Sequence, residues 1–528
     1  MTGAMLPLLV AVPLVAAAVL VLLARRTRST LVVLTAVLAL GLAGAVATVV
    51  ASADGGTLAH GVGLWPVGIA IPFAADMLTA LMLTATMLLT LTCTAFAIAS
   101  GFARRRYFAP LVLVLTAGVN GALLTADLFN LFVFIEVMLL PSYALFILAA
   151  PGKARLRRIA GARMYVLVNL LTSTVFLAGV AFVYGVAGTV NLAELAGAAA
   201  SSDAVAVAMA ICLFALSIKA AVFPVHGWLT QAYPATSPAM TAMFSGLHTK
   251  VAIYAIYRIY AVVFEGDSRF LWIGVVAFTV TMIVGVLGAV GEKSPRAILT
   301  FNMVSGIGYI LMGVALFGVA GLAAGIFYLI HHMIVKASLF LSTGAIEVRY
   351  GTGSLDRLGG LARREPLIAV AFFAAALSLA GIPPFSGFVG KLGLVLASVS
   401  EGQLVAAGVM VLASLVTLMS MLKIWSNAFW GKPQAPDGSS PAPHPWPLER
   451  GAHAHHEAST VLSPVQHPED ATHHERSRIS LPLALPAVFL VVVSLALGLG
   501  AEFLLGLSET AAQGLVDTSG YVEAVLNS

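Results

Sequence analysis

Apolar residues run for about 20 positions at a time along most of this chain before a short polar break, the length a helix needs to cross a hydrocarbon core about 30 Å thick. Such runs lie near 4–24, 30–51, 77–100, 109–126, 128–150, 162–187, 204–223, 239–262, 270–291, 297–319, 321–347, 366–400, 404–430 and 481–506. They predict an all-α polytopic membrane protein of about fourteen transmembrane helices. The short connections argue for one helical bundle. The stretch 431–480, rich in Pro, His, Ser and charge, has too little apolar surface to fold alone and reads as a flexible loop before the last span.

Two spans are interrupted. Pro224 cuts the seventh, and Gly381, Pro383, Pro384 and Gly387 cut the twelfth, because proline cannot donate the helical hydrogen bond and clashes one turn back. Backbone groups freed at membrane depth persist only inside protein or along a hydrated cavity. Interrupted helices at corresponding places in two halves point to an inverted-repeat transporter. The expected organisation is three N-terminal spans over 1–108, a first five-helix unit over 109–262 (spans 4–8), a second over 270–430 (spans 9–13), the loop 431–480, and a last helix with its tail over 481–528.

Charge fixes the expected orientation. Most of the 28 lysines and arginines fall in the odd-numbered loops, which by the positive-inside rule face the cytoplasm. Both termini then lie outside and 431–480 inside. Arg258 and Arg269 are read as flanking the loop between spans 8 and 9. The first basic cluster, Arg25, Arg26 and Arg28, follows the first apolar run, the reverse of a cleavable signal peptide, so that run is expected to stay as a helix. Composition agrees with the class: 60% hydrophobic, 10% charged. The formal charge of +5 sits largely in loops between apolar spans, which orients the chain and does not indicate nucleic acid. Cys93 and Cys212 lack metal-ligand or cluster spacing and read as small core residues. No phosphate-binding or dinucleotide motif occurs in a fitting context, and no cofactor is expected; Gly306 and Gly308 read as helix-packing glycines.

The informative residues are the ionisable ones inside the apolar runs, since such a group costs about 2.5–3.5 kcal/mol on insertion scales and is functional by default. They are Glu136, Lys219, Lys250, Lys336, Lys391, Lys423 and the pair His331 and His332. Glu136 lies nine residues past Asp127, roughly 13–14 Å along a helix and so close to mid-membrane. His332 and Lys336 are one turn apart on one face. Lys423, near a cytoplasmic helix end, is expected to reach water. A buried lysine switches between holding and releasing a proton as a carboxylate approaches or withdraws, and Glu136, the one mid-span carboxylate, is the natural partner for Lys219 beside the break at Pro224. The order Glu136, Lys219, Lys250, His332 or Lys336, Lys391 would form a lateral proton path, with His331 and His226 as secondary members, because imidazoles titrate near neutrality.

Structural readings stand beside these. Glu136 and Lys219 could form an ion pair locking two helices; His331, Lys336 and His248 could be satisfied interhelical donors. Asp76 and Asp127 begin helices, where a carboxylate complements the dipole. Seven of the twelve histidines lie in 431–480, but without fixed ligand spacing, so no metal site is expected there.

The segments DLFNLFVFIE (127–136), KAAVFPVHGWL (219–229), GLHTKVAIYAIYR (246–258), HHMIVKASLFLSTGAIE (331–347) and GIPPFSGFVGK (381–391) resemble the antiporter-like subunits shared by Mrp-type cation/proton antiporters and respiratory complex I. Phe129-Asn130-Leu131-Phe132 ahead of Glu136, and His331-His332 with Lys336, resemble the D-type Mrp subunits most. The resemblance implies fourteen helices with two inverted five-helix repeats and a proton path carried by Glu136, Lys219, Lys250 and Lys391. It also implies a multi-pass place in a bacterial cell membrane, as one subunit of a hetero-oligomeric antiporter exchanging protons for Na+ or another monovalent cation. His248 and the His-rich loop depart from the pattern. The competing readings are a proton-pumping subunit of complex I or of a membrane-bound hydrogenase, whose energy source would sit in partner chains, and a scaffold that transports nothing.

Overall fold

The computed structural model describes residues 2–22, 27–63, 65, 70–148, 155–431 and 478–528 of the chain. Nearly all of it is helix, and each expected apolar run coincides with one or two helices. In chain order these begin with α1 (Leu8–Leu22), α2 (Thr27–Ala51), α3 (Met77–Ala99), α4 (Phe108–Leu124), α5 (Leu128–Ile147) and α6 (Arg155–Ala187). A short α7 (Ala198–Ser201) precedes the interrupted pair α8 (Asp203–Ala220) and α9 (Gly227–Ala232). Then come α10 (Pro238–Val263), α11 (Leu271–Gly291), α12 (Pro295–Ala315) and α13 (Val319–Tyr350). A four-residue α14 (Leu361–Arg364) leads to the second interrupted pair, α15 (Pro366–Ala380) and α16 (Ser386–Ser400), then α17 (Leu404–Ile424), α18 (Leu481–Leu499), α19 (Ala501–Val516) and α20 (Ser519–Leu526). Eleven of the helical stretches among the described residues are long and apolar enough to cross a membrane.

Local chemistry sets where these helices begin. Asp76 accepts from the Thr79 amide at 3.0 Å and Asp127 from the Asn130 amide at 2.7 Å, each satisfying a donor that the first turn leaves free. Ser237 and Ser294 cap α10 and α12 in the same way, each followed by a proline whose missing N–H is no loss at that position. At the ends, Gly351 and Gly381 adopt positive φ, the left-handed turn that closes a helix without a Cβ clash.

The axis of the bundle is α13. Its 32 residues extend about 48 Å at 1.5 Å per residue, and its most apolar stretch is wholly buried. Around it pack α3, α10, α12, α15, α16, α18 and α19. Because lipid tails are as apolar as the helix faces, packing around α13 rests on shape and on hydrogen bonds, and small residues permit close approach. A Cβ on Gly306 would sit 2.2 Å from His332 Nε2, and one on Gly118 would sit 2.5 Å from the Met138 backbone. Helices α1, α2, α6, α11 and α17 form the periphery, with large apolar side chains such as Val32, Leu171, Leu287 and Leu415 on the outer surface, as a bilayer or a neighbouring chain requires.

Three features depart from the expectations. A two-stranded antiparallel hairpin, β1 (Leu58–Val62) with β2 (Ile71–Ala75), pairs Leu58 with Ala75 in the connection from α2 to α3; five-residue strands are too short to announce themselves against apolar flanks. The expected last span, 481–506, is divided near Gly500 into α18 and α19, and helix continues to Val516. Arg258, read as a loop cation, is buried inside α10. Nearly all of 431–480, with its histidines, lies outside the described residues.

Candidate functional site

Both interruptions fall where the prolines predict, and each has a buried lysine beside it. Helix α8 ends at Ala220 with Ala221 at φ 65°, which places Lys219 in its last turn. At the broken end the Ile218 carbonyl accepts from the Ala221 amide at 3.0 Å and from the Trp228 indole of α9 at 2.8 Å. In the second interrupted helix the lysine lies beyond the break in sequence, but the Lys391 ammonium reaches back to the Ala380 carbonyl at 3.2 Å. The Lys391 ammonium therefore sits at the C-terminal, negative end of the first half-helix, the same half that carries Lys219 in the other interrupted span. Lys391 also lies over the Tyr309 ring at 4.9 Å, a cation–π contact strengthened by desolvation.

Lys219, Lys250, Lys336 and Lys391 are all buried, with Lys250 and Lys336 fully enclosed. Lys219 donates to Asn169 Oδ1 at 3.2 Å. The Asn169 amide nitrogen donates to the Tyr165 carbonyl, and the Tyr165 hydroxyl joins Ser142 at 3.0 Å and His248 Nδ1 at 2.8 Å. Lys336 donates to the Leu299 carbonyl at 2.9 Å. Among the described residues Lys250 has only the Thr249 hydroxyl, at 3.4 Å. None of the four forms an ion pair with a carboxylate among the described residues.

The direct Glu136–Lys219 pair does not form. No hydrogen bond or ion pair joins Glu136 and Lys219 among the described residues, and Glu136 Oε1 is enclosed without a protein donor there. The reason is orientation. Glu136 is half-buried and shares a helical face with the exposed Phe129, Val133 and Leu140, so it stands at the rim of the bundle on the outward side of α5.

His331 Nδ1 meets Ser386 Oγ at 2.8 Å, and Ser494 joins Ser386 at 3.1 Å and Ser378 at 3.0 Å, tying α13 to both halves of the second interrupted helix and to α18. His331 Nε2 and both nitrogens of His332 have no protein partner among the described residues. His226, half-exposed at the first break, has its Nδ1 enclosed and lies against Phe223.

Several outcomes differ from the sequence reading. Lys423 donates to the Val290 and Glu292 carbonyls at 2.8 and 2.7 Å, so it also closes the end of α11. Asp76 is more than a cap: it accepts from the buried Arg258 guanidinium at 2.6 Å. Asn169 and Tyr165 escaped notice because an amide and a phenol in an apolar run look like ordinary helix-packing residues. Their signal was the spacing Tyr165 to Asn169 to Thr172, one polar stripe on α6. Among the described residues no cluster of three or more metal-ligating side chains occurs, and both cysteines are buried and free.

Residues 125–417 match the family model described as NADH:quinone oxidoreductase/Mrp antiporter, transmembrane. The chain is 36% identical over 470 residues to the D subunit of the Na(+)/H(+) antiporter of Alkalihalophilus pseudofirmus, covering 88% of this chain and 87% of that one. It is 33% identical over 474 residues to the protein of the same description from Bacillus subtilis, with the same coverage. Among solved structures, a chain of the Mrp complex from Dietzia sp. superposes with a TM-score of 0.90 at 57% identity over all of both chains. A chain of an archaeal membrane-bound sulfane sulfur reductase shares the fold, with a TM-score of 0.82 at 24% identity over 99% of each chain.

Proposed function

The chain belongs to the NADH:quinone oxidoreductase/Mrp antiporter transmembrane family, and from that premise we propose that it is the proton-conducting member of a hetero-oligomeric monovalent cation/proton antiporter. The observation that carries this reading is the row of four buried lysines without carboxylate partners among the described residues. A permanently charged ammonium at such a place would cost several kcal/mol with nothing to offset it. A lysine that alternates between charged and neutral forms bears that cost only transiently, and alternation is proton transport.

The path runs from Glu136 through Lys219 to Lys250, then by His332 or Lys336 to Lys391. Glu136 supplies a negative field at Lys219, which holds a proton; on release the proton passes inward along the chain of sites. Because the Lys391 ammonium rests on the carbonyl end of its half-helix, a small movement of that break changes the field at the ammonium without moving the bundle. The two breaks, each with its lysine, support an arrangement of two five-helix units, α4–α10 and α11–α17. An inward proton gradient is the driving force proposed, with Na+ or a similar cation moving outward. Glu136 on the outward face of α5 is placed to be covered by another chain of the complex, since a carboxylate cannot face lipid at that depth.

The antiporter reading is preferred over a complex I pump because the relatives of 33–36% identity bear antiporter descriptions, whereas the likeness to Thermus thermophilus complex I, at 22% identity, concerns the fold alone. The experiment is Glu136→Gln in the assembled complex. Sodium-dependent proton exchange, followed with a pH-sensitive dye in everted vesicles, is expected to vanish while the levels of every chain on blots stay normal. Undiminished exchange at normal assembly removes Glu136 from the path; lost assembly makes it a structural residue.

A further inference from the structure

Arg258 is the largest fully buried side chain among the described residues, and the lysine path does not use it. One terminal nitrogen donates to Asp76 at 2.6 Å and to Thr79 Oγ1 at 3.4 Å, while Nε and Nη1 have no protein acceptor among the described residues. A guanidinium enclosed with two unpaired donors is costly unless water satisfies them. Beside it lies a cavity of about 40 Å³ bordered by Thr57, Asp76, Thr510, Asp517 and Tyr521, room for roughly two or three waters. The Tyr521 ring of α20 covers the guanidinium at 4.4 Å, and α20 in turn packs on the hairpin β1–β2.

Polar groups continue inward from there. Tyr254 Oη meets Thr79 Oγ1 at 2.8 Å and donates to the Leu123 carbonyl at 2.7 Å. Arg258, Tyr254 and Lys250 are spaced by four residues, so they share one face of α10, about 6 Å apart along its axis. Helix α3 runs antiparallel beside it: Thr79 meets Tyr254 at one end, and Leu89 lies 2.6 Å from a Cβ on Gly246 at the other. Lys250 is the lysine with the weakest partner, a hydroxyl at 3.4 Å.

We propose that Asp76, Arg258, Thr79 and Tyr254 form an aqueous access route to Lys250 from the membrane face that carries the β-hairpin and α20, with Tyr521 covering its mouth. It rests on the reading of Lys250 as a proton carrier and supplies what that reading lacks, a connection from the middle of the path to the outer solution. Arg258 keeps its proton throughout. Its charge is balanced by Asp76, and its free N–H groups order the water along which the transported proton hops.

The test is thiol accessibility in the whole complex, with Cys93 and Cys212 replaced and single cysteines placed by Thr79→Cys and Tyr254→Cys. Silver ion is applied briefly to right-side-out or to everted vesicles, and the remaining thiol is counted by fluorescent maleimide after denaturation. Both cysteines are expected to react from the outer side about tenfold faster or more than a retained Cys212 control, the ratio that an opening cost of about 1.4 kcal/mol imposes on an enclosed thiol. Tyr521→Ala should quicken them further. Reaction no faster than at Cys212, or reaction favoured from the cytoplasmic side, overturns the route. Thr79→Cys, nearly isosteric, decides alone if Tyr254→Cys does not assemble. Labelling reads hydration whether or not exchange occurs, so a failure of the proton-carrier reading, seen with Glu136→Gln, stays distinguishable from a failure of this one.

Discussion

Asn169→Leu removes the acceptor used by the Lys219 ammonium at 3.2 Å while keeping the size of the side chain. A hydrogen bond to a charged group contributes about 1.5–3 kcal/mol, well above the bond a neutral amine can donate to the same oxygen. Losing it favours the neutral amine by that amount, so protonating Lys219 needs a roughly 10- to 150-fold higher proton activity. The pH profile of exchange is therefore expected to move toward acid by about one to two units. Asn169→Asp should act in the opposite sense: a carboxylate at 3 Å stabilises the ammonium, and exchange should persist only at more alkaline pH or stop. The assay is dye-monitored Na+-dependent exchange in everted vesicles from pH 6 to 9.5, with complex assembly checked on native gels. A profile unchanged in both variants at normal assembly would refute the claim that Asn169 sets the proton affinity of Lys219. Shifts of the same sign in both would assign Asn169 a packing role, since only electrostatics reverses with charge.

Two further outcomes follow from depth and space. Lys391→Ala should stop exchange, because the ammonium bridging the second break is lost, whereas Lys423→Ala should retain most exchange at a stability loss of about 0.5–1.5 kcal/mol from two uncapped carbonyls, read as a lower melting temperature of the purified complex; equal transport defects would place both lysines on the path or neither. Gly387→Ala sets a Cβ 1.8 Å from the Ser378 carbonyl and 2.9 Å from the His331 ring, so it should lower assembly sharply, and wild-type levels on a blot would show that the break tolerates repacking.

Much of this protein is legible in one dimension because a bilayer imposes a one-dimensional constraint. Span length is set by hydrocarbon thickness, an ionisable residue within a span stands out against its neighbours, and a proline interrupts its own helix whatever lies around it. Hence the apolar runs, the breaks at Pro224 and at Pro383 and Pro384, and the candidate residues Glu136, Lys219, Lys250, His331, His332, Lys336 and Lys391 could all be named from the chain. What only the tertiary structure decided is which way those side chains face and what they touch. Sequence distance placed Lys391 on the wrong side of its break, but folding back brings its ammonium onto the Ala380 carbonyl, a contact between two helices that periodicity within either one cannot reveal. Glu136 looked like the partner of Lys219 by depth alone; rotation about the α5 axis turns it toward the rim of the bundle, and Asn169 takes the amine. Arg258 read as a loop cation because an arginine near a helix end ordinarily reaches water. It is held inside by Asp76, 182 residues away in sequence, and by the ring of Tyr521. Depth is a property of position along the chain, whereas pairing depends on helix rotation and on neighbours brought from elsewhere, and those are set by packing.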